Sequence, residues 1–440
     1  MVSLSGSNSG LHSKSAGGFA ISSLSELAFD RLLGSLMVLF SLNDDHRQIQ
    51  DLIRRVAREK VAPRASEIDR TGEYPQDMFD LLKSLGLFSL PFPPEYGGSG
   101  SILSACVAAE ELARVCYNTC YVMIAQWGPF GAILHAGNEE QKRKYLTGLA
   151  SGDLRASIAV TEPQSGSDVA GIKSRARKVP DGFRLNGSKI WCTNAQVADF
   201  VVVAAKLGDD DTRRAVNLFI VEKGMQGLSI GKKEDKLGAR GLPSCPLYFD
   251  DVFIPESNRL GEEGQGFKAV MEGFNGFRPV IGARAVGLAQ GAIDHAIEFV
   301  KNRYTFGSRV SDYQGIRWML ADMAMQTEAA RLMVYRAASM VDAGVTGEEL
   351  AAFAGMAKAF ASDVAMKVTT DAVQLFGATG ISNDAPINRY MRDAKVTQII
   401  EGTNQIQRNI IGNYMLGRPR KMVPAEFVGL SPDKLLSVKR

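Results

Sequence analysis

Phe200-Val-Val-Val-Ala-Ala-Lys-Leu-Gly-Asp-Asp-Asp-Thr-Arg-Arg-Ala-Val-Asn-Leu-Phe-Ile-Val221 decides the architecture of this chain. Two β-prone runs, Phe200–Ala205 and Val216–Val221, flank a turn-forming stretch at Gly208–Asp211, a pattern that predicts strands. Three more short runs lie nearby: Ile158-Ala-Val-Thr161, Phe183-Arg-Leu185 and Leu247-Tyr-Phe249, with turns at Asp181-Gly182 and Asn186-Gly187. No intervening segment is long enough for repeated crossover helices, so the spacing predicts a small antiparallel sheet.

Outside this stretch the pattern is helical. Asp44 and Asp45 are expected to cap a helix on which Ile49, Leu52, Ile53 and Val56 share a buried face. Pro63, Gly72–Pro75 and Pro91–Gly100 divide the region that follows, and Ala105–Cys120 and Met123–His135 read as two more helices. After Gly266 a long helix carries Val280, Ala283, Val286, Leu288, Ala289, Ala292, Ile293, Ala296 and Val300 on a broad apolar face. Trp318–Ala343 and Leu350–Leu375 are similar, and long Ala-rich helices pack as a bundle. The expected fold is α+β and mainly α. It comprises a flexible leader (1–42), an N-terminal helical domain (43–155), a middle antiparallel β domain (156–266), a C-terminal four-helix bundle (267–417) and a tail (418–440).

Bulk properties exclude several function classes. The formal net charge of +3, from 51 basic and 48 acidic residues, makes no case for nucleic acid as the main partner. Arg418, Arg420 and Lys421 form only a mild cluster, read as a solvated end. The five cysteines form no CxxC pair, and Cys116 and Cys120 sit one helical turn apart, so packing in a reducing compartment is expected. The four histidines are scattered, which argues against a metal. The Ser- and Gly-rich start favours disorder, and the apolar stretch Leu32–Leu42 is too short to span a bilayer. No GxGxxG follows a strand, and neither GxxxxGK[ST] nor GxSxG occurs, against Rossmann, P-loop and α/β-hydrolase enzymes.

Five local motifs run in order through the chain: Ala159-Val-Thr-Glu-Pro-Gln-Ser-Gly-Ser-Asp168, Lys189-Ile-Trp-Cys-Thr-Asn194, Arg303-Tyr-Thr-Phe-Gly307 with Gln314, Gln374-Leu-Phe-Gly-Ala-Thr-Gly380 and Ile400-Glu-Gly-Thr-Asn-Gln-Ile-Gln407. Together with the order of helices, sheet and helices, they resemble the acyl-CoA dehydrogenase family over roughly residues 43–417. The resemblance implies FAD-dependent dehydrogenation of an acyl-CoA thioester to the 2-enoyl-CoA, with electrons passed to an electron-transfer flavoprotein.

That chemistry needs a base for the α-proton, a polarised thioester carbonyl and a flavin to accept hydride. Glu401 matches the family's base, and its own N–H is implied as a donor to the carbonyl oxygen. Apolar residues precede it, and desolvation there would raise the carboxyl pKa. In another branch of the family the base immediately precedes an Arg on the long C-terminal helix; here Phe277 holds that place. The resemblance assigns Thr161, Ser167, Trp191, Thr193, Thr403 and Gln405 to FAD. It also assigns Arg303, Thr305, Phe306, Gln314, Gln374, Gly377 and Ala378 to an FAD shared with a neighbouring subunit, which implies a homodimer unit within a homotetramer. Ser167, Asn275, Arg278 and Gly402 are the implied substrate contacts. Asn275 departs from the usual Asp, which leaves an acyl-carrier-protein substrate open beside CoA.

Two rival readings remain: an acyl-CoA oxidase, disfavoured by the 440-residue length, and a flavin-bearing nucleic-acid-binding protein of the alkylation-response type, disfavoured by the mixed-charge tail. Bulk at Phe277 and Phe376 suggests short, branched or cyclic acyl chains. The expected location is the bacterial cytosol, or the mitochondrial matrix in a eukaryote.

Overall fold

A computed structural model of the protein describes residues 42–417. The expectations for the leader before residue 42 and for the tail from 418 lie outside the described residues. Helix α1 (Asp44–Val56) starts at Asn43, whose extended backbone (φ −72°, ψ 178°) lets its side chain accept from His46 N at 2.9 Å. Asp44 and Asp45, expected as caps, instead occupy the first turn, where they complement the helix dipole. Ile53 is buried, whereas Leu52, about 100° away around the helix, is 39% exposed.

The helix expected over 105–120 is two helices, α2 (Ile102–Ala113) and α3 (Tyr117–Gln126), separated by an extended Cys116. Tertiary contacts account for the break. The Arg114 carbonyl accepts from Tyr390 Oη at 2.8 Å, and a Cβ at Gly291 would lie 2.1 Å from it. The segment expected over 123–135 divides in the same way, the second piece being a short helix at Phe130–Ala136.

Eight strands build the middle sheet: β1 (Ala156–Ala159), β2 (Arg175–Val179), β3 (Gly182–Thr193), β4 (Phe200–Leu207), β5 (Val216–Glu222), β6 (Leu228–Ile230), β7 (Ser244–Pro255) and β8 (Arg259–Leu260). Their order is β6-β7-β3-β2-β4-β5-β8. Most pairings are antiparallel, as expected, including Phe200↔Glu222 through Lys206↔Val216. Two are parallel: β1 pairs the first half of β4, and β2 pairs its end. The β2–β3 hairpin itself supplies the long connection that parallel pairing requires. Strand β4 reads as a continuous apolar run because both its faces are covered. Phe200, Val202 and Ala204 join the main core with the helices, while Val201, Val203 and Ala205 join a second core made from strands and their connections.

The C-terminal helices are α4 (Gly266–Asn302), α5 (Gln314–Asp342), α6 (Gly347–Phe376), α7 (Ile387–Ile399) and α8 (Asn404–Leu416). Helix α4 is the centrepiece and packs against α2, α5, α6 and α7. At its crossing with α2 a Cβ on Gly287 would lie 2.3 Å from the Glu110 carbonyl, so only glycine permits this approach. Buried Glu110 links α2 to α5, accepting from Arg331 Nε at 2.7 Å and Tyr335 Oη at 2.9 Å. All five cysteines are free and buried. No helix among the described residues is long and apolar enough to cross a membrane.

Candidate active site

Glu401 lies in the turn between α7 and α8. Its backbone is left-handed (φ 57°), a conformation that disfavours a side-chain-bearing residue by about 1–2 kcal/mol. The surrounding structure holds it there. Lys358 Nζ donates to the Gly402 carbonyl at 2.8 Å and to Asn404 Oδ1 at 2.9 Å. Gln407 Nε2 donates to the same Gly402 carbonyl at 2.9 Å. Asn404 Nδ2 donates to Ser362 Oγ at 2.8 Å and Asp363 Oδ1 at 2.7 Å. Thr403 caps α8, its hydroxyl accepting from Ile406 N at 3.3 Å. Gly402 has φ 88°, and a Cβ there would lie 2.6 Å from Gln407 Nε2.

The turn is tied down, and Gln407 Nε2 also donates to the Glu401 carbonyl at 3.4 Å, yet the Glu401 carboxylate and N–H stay free. Its carboxylate makes no hydrogen bond or ion pair with the described residues, and its N–H donates to no carbonyl. Burial pushes the carboxyl up from its ordinary value, against the lowering pulls of Arg284, Lys358 and Arg278. Those three cations come from α4 and α6. Burial pushes Lys358 down to about 7 and Arg278 down to about 10. Arg278 is 3% exposed and bonds Asn275 Oδ1. Glu401 is the acid whose charge acts on it. Pro279, inside α4, has no N–H to give the Asn275 carbonyl.

A second wall comes from the sheet. The β3–β7 register breaks between Lys189 and Cys192, and at the break Trp191 adopts φ 59° and stands 54% exposed. Thr161 and Thr193 are half-buried beside it; Ile190 N donates to the Thr161 carbonyl at 2.9 Å. Thr193 Oγ1 meets Ser244 Oγ at 3.1 Å and Tyr121 Oη at 3.4 Å. Tyr121 also feels the charge of Glu401, so this tyrosine joins the two walls. The loop carrying Ser167, which is exposed, is anchored by Glu162. That carboxylate accepts from Lys189 Nζ at 2.7 Å, Lys173 N at 2.6 Å and Ser174 N at 2.9 Å. Burial would raise Glu162, but Lys189 and these donors hold it at about 2. An exposed indole beside two hydroxyls and the open Ser167 loop suits a flat, hydrogen-bonding heterocycle with a phosphate tail, and the residues present fit FAD.

Arg303, Thr305, Phe306, Gln314, Gln374, Gly377 and Ala378 occupy a different setting. Thr305 is half-buried and the rest are exposed, on the small hairpin between α4 and α5, at the first residue of α5 and at the end of α6. Phe306 is 96% exposed with φ 49°, and the Arg303 side chain makes no hydrogen bond. Gln405 is exposed on the first turn of α8. Phe277 packs against Trp127 and Phe130, while Phe376 stacks on Phe299 with centroids 4.2 Å apart. Sequence reasoning missed Arg284, Lys358 and Tyr121. The first two had a signal: each is a lone cation within an otherwise apolar helical run. Tyr121 had none.

Family models describing the N-terminal, middle and C-terminal domains of acyl-CoA dehydrogenase match residues 43–153, 157–252 and 264–416. The chain is 42% identical to an acyl-CoA dehydrogenase of Bacillus subtilis over 372 residues, covering 84% of this chain and 97% of that one. It is similar to the butyryl-CoA dehydrogenase structure from Megasphaera elsdenii, with TM-score 0.82, 40% identity, and coverage of 86% and 99%. It also matches a chain in a structure described as an electron transferring flavoprotein of Acidaminococcus fermentans, with TM-score 0.83, 41% identity, and coverage of 86% and 99%. The chain belongs to the acyl-CoA dehydrogenase family.

Proposed function

We propose that the protein dehydrogenates a short acyl-CoA thioester at its α and β carbons, with Glu401 as the base. The observation that carries this reading is a half-buried Glu401 on a strained turn, with its carboxylate and its N–H both unengaged, joined through Tyr121 to a wall that holds Thr193 and the exposed Trp191. The carboxylate takes the α-proton, and its raised pKa brings it closer to the operating pH. The Glu401 N–H donates to the thioester oxygen as negative charge develops there. FAD, when bound, supplies the hydride acceptor that no side chain can provide. Thr161, Thr193 and Trp191 hold its ring system, and Ser167 lies toward its pyrophosphate. Thr403 and Gln405 follow the base on the same turn.

Arg303, Thr305, Phe306, Gln314, Gln374, Gly377 and Ala378 serve an FAD shared with a second copy. Support for self-association comes from exposed apolar side chains along the hairpin and α5: Phe306, Tyr304 (58%), Trp318 (61%) and Met325 (63%). We read the assembly as a homotetramer, the location as the cytosol, and the electron acceptor as an electron-transfer flavoprotein. The test is Glu401→Gln. The purified variant should retain bound flavin, yet acyl-CoA should no longer bleach its visible absorbance anaerobically. Bleaching at the wild-type rate would refute the assignment. Rapid peroxide formation by the reduced wild-type protein would favour the oxidase reading.

A further inference from the structure

Six cationic side chains are buried among the described residues: Lys189, Lys206, Arg278, Arg284, Lys358 and Arg389. Five have a hydrogen-bond acceptor. Lys189 bonds Glu162, Lys206 the Asp211 carbonyl, Arg278 Asn275, Lys358 Gly402 and Asn404, and Arg389 Ser66. Arg284 is the exception. It is fully buried, and Nε and both terminal nitrogens lack an acceptor. No carboxylate lies within ion-pair distance. Its guanidinium rests on the rings of Tyr117, 4.9 Å to the centroid, and Tyr121, 4.5 Å. Cation–π contact offsets only part of the lost hydration of a guanidinium, and none of its hydrogen bonds.

The position of this unsatisfied cation is specific. Tyr121 reaches Thr193 on the sheet wall with its hydroxyl and carries Arg284 on its ring, so one tyrosine separates the guanidinium from that wall. The charges of Arg278, Arg284 and Lys358 all act on Glu401, and Asp363 is a second acid that acts on Lys358. The neighbourhood holds more positive than negative charge, and the surplus grows when Glu401 takes up a proton. A neutral hydrocarbon chain leaves that imbalance in place, whereas an anionic one corrects it.

We propose that the acyl group carries a carboxylate at its far end, which pairs with Arg284 once the Tyr121 ring turns aside. The substrate class is then the mono-CoA thioester of a short dicarboxylic acid. This rests on the reading of the site as an acyl-CoA dehydrogenase. Guanidinium and carboxylate match as two parallel N–H···O bonds, which Arg forms and Lys cannot reproduce. Chain length is limited because a single residue, Tyr121, separates the guanidinium, 4.5 Å from its ring centroid, from Thr193, 3.4 Å from its hydroxyl.

The experiment compares glutaryl-CoA with valeryl-CoA, equal in carbon number, using the flavin-loaded full-length protein and an artificial electron acceptor. Wild type should favour glutaryl-CoA in kcat/KM by about tenfold or more, and Arg284→Gln should abolish that preference, mainly through KM. Arg284→Lys should recover part of it. A binding measurement independent of turnover uses Glu401→Gln. Titrated with each thioester, this variant should bind glutaryl-CoA more tightly, and adding Arg284→Gln should remove the difference. The inference is overturned if wild type prefers valeryl-CoA, or if Arg284→Gln slows both thioesters by the same factor, which would make Arg284 only a counter-charge for Glu401. If neither thioester, nor butyryl-CoA, bleaches the wild-type flavin, the dehydrogenase reading itself fails.

Discussion

Replacing Lys358 with Met tests how the fold controls the base. In the native protein its Nζ holds the Glu401 turn through two hydrogen bonds, to the Gly402 carbonyl and to Asn404 Oδ1. Neither acceptor is orphaned by the substitution, because Gln407 Nε2 still reaches the carbonyl and Ser362 Oγ still reaches Oδ1, at 3.1 Å. The loss is then about 2 kcal/mol for two ordinary bonds. Against this stands the burial of a cation. Burial lowers Lys358 from 10.5 to about 7, so between those values the folded protein binds fewer protons than the unfolded chain. Stability from this group therefore rises with pH across that window, and the burial penalty is fully present below it. Lys358→Met should cost about 2 kcal/mol only near pH 10.5, where the burial penalty is fully relieved, and clearly less near pH 6. A second effect is catalytic. Removing a positive neighbour raises the Glu401 pKa further, and the acid limb of kcat/KM should move to higher pH. Denaturation midpoints at the two pH values and a pH–rate profile report both. A stability difference independent of pH, combined with an unmoved acid limb, would refute the reasoning.

Gly402→Ala places a methyl 2.6 Å from Gln407 Nε2 at φ 88°, so the Glu401 turn must shift; steady-state kinetics should show kcat reduced about tenfold or more. Glu162→Gln leaves Lys189 buried without its counter-ion and should lower stability by about 3–5 kcal/mol, read by denaturant unfolding at neutral pH. Because the Glu162 carboxyl is depressed from 4.5 to about 2, wild-type stability from this pair is complete above pH 4.5 and lost as pH falls through 2. An acid titration should show the variant converging on wild type there. Trp191→Ala removes a side chain already 54% exposed, so protomer stability should change by about 0.5 kcal/mol at most, while flavin affinity, measured by fluorescence titration, should fall. Phe306→Ser should leave the protomer folded and weaken self-association in sedimentation experiments.

Much of the architecture was legible in local patterns. Alternating and continuous apolar runs marked β1, β3, β4, β5 and β7, because strand periodicity is a property of neighbouring residues. Helix α4 was equally plain from its apolar face. Strands β2, β6 and β8 were not, since Arg175–Val179 carries three cations and the other two are very short. The break between α2 and α3 was also invisible, because what ends the first helix is Tyr390, 276 residues away, bonding the Arg114 carbonyl.

The site divides in the same way. The motif around Glu401 and the strand motif around Trp191 and Thr193 could be matched to the family, since each is a contiguous string that resembles the family's own. What surrounds the base could not. Arg278 and Arg284 on α4, Lys358 on α6, Tyr121 on α3 and Thr193 on β3 converge only when the chain folds. Charge acts across space regardless of chain separation, so the number of cations facing Glu401, and the guanidinium left without an acceptor, were decided by tertiary packing alone.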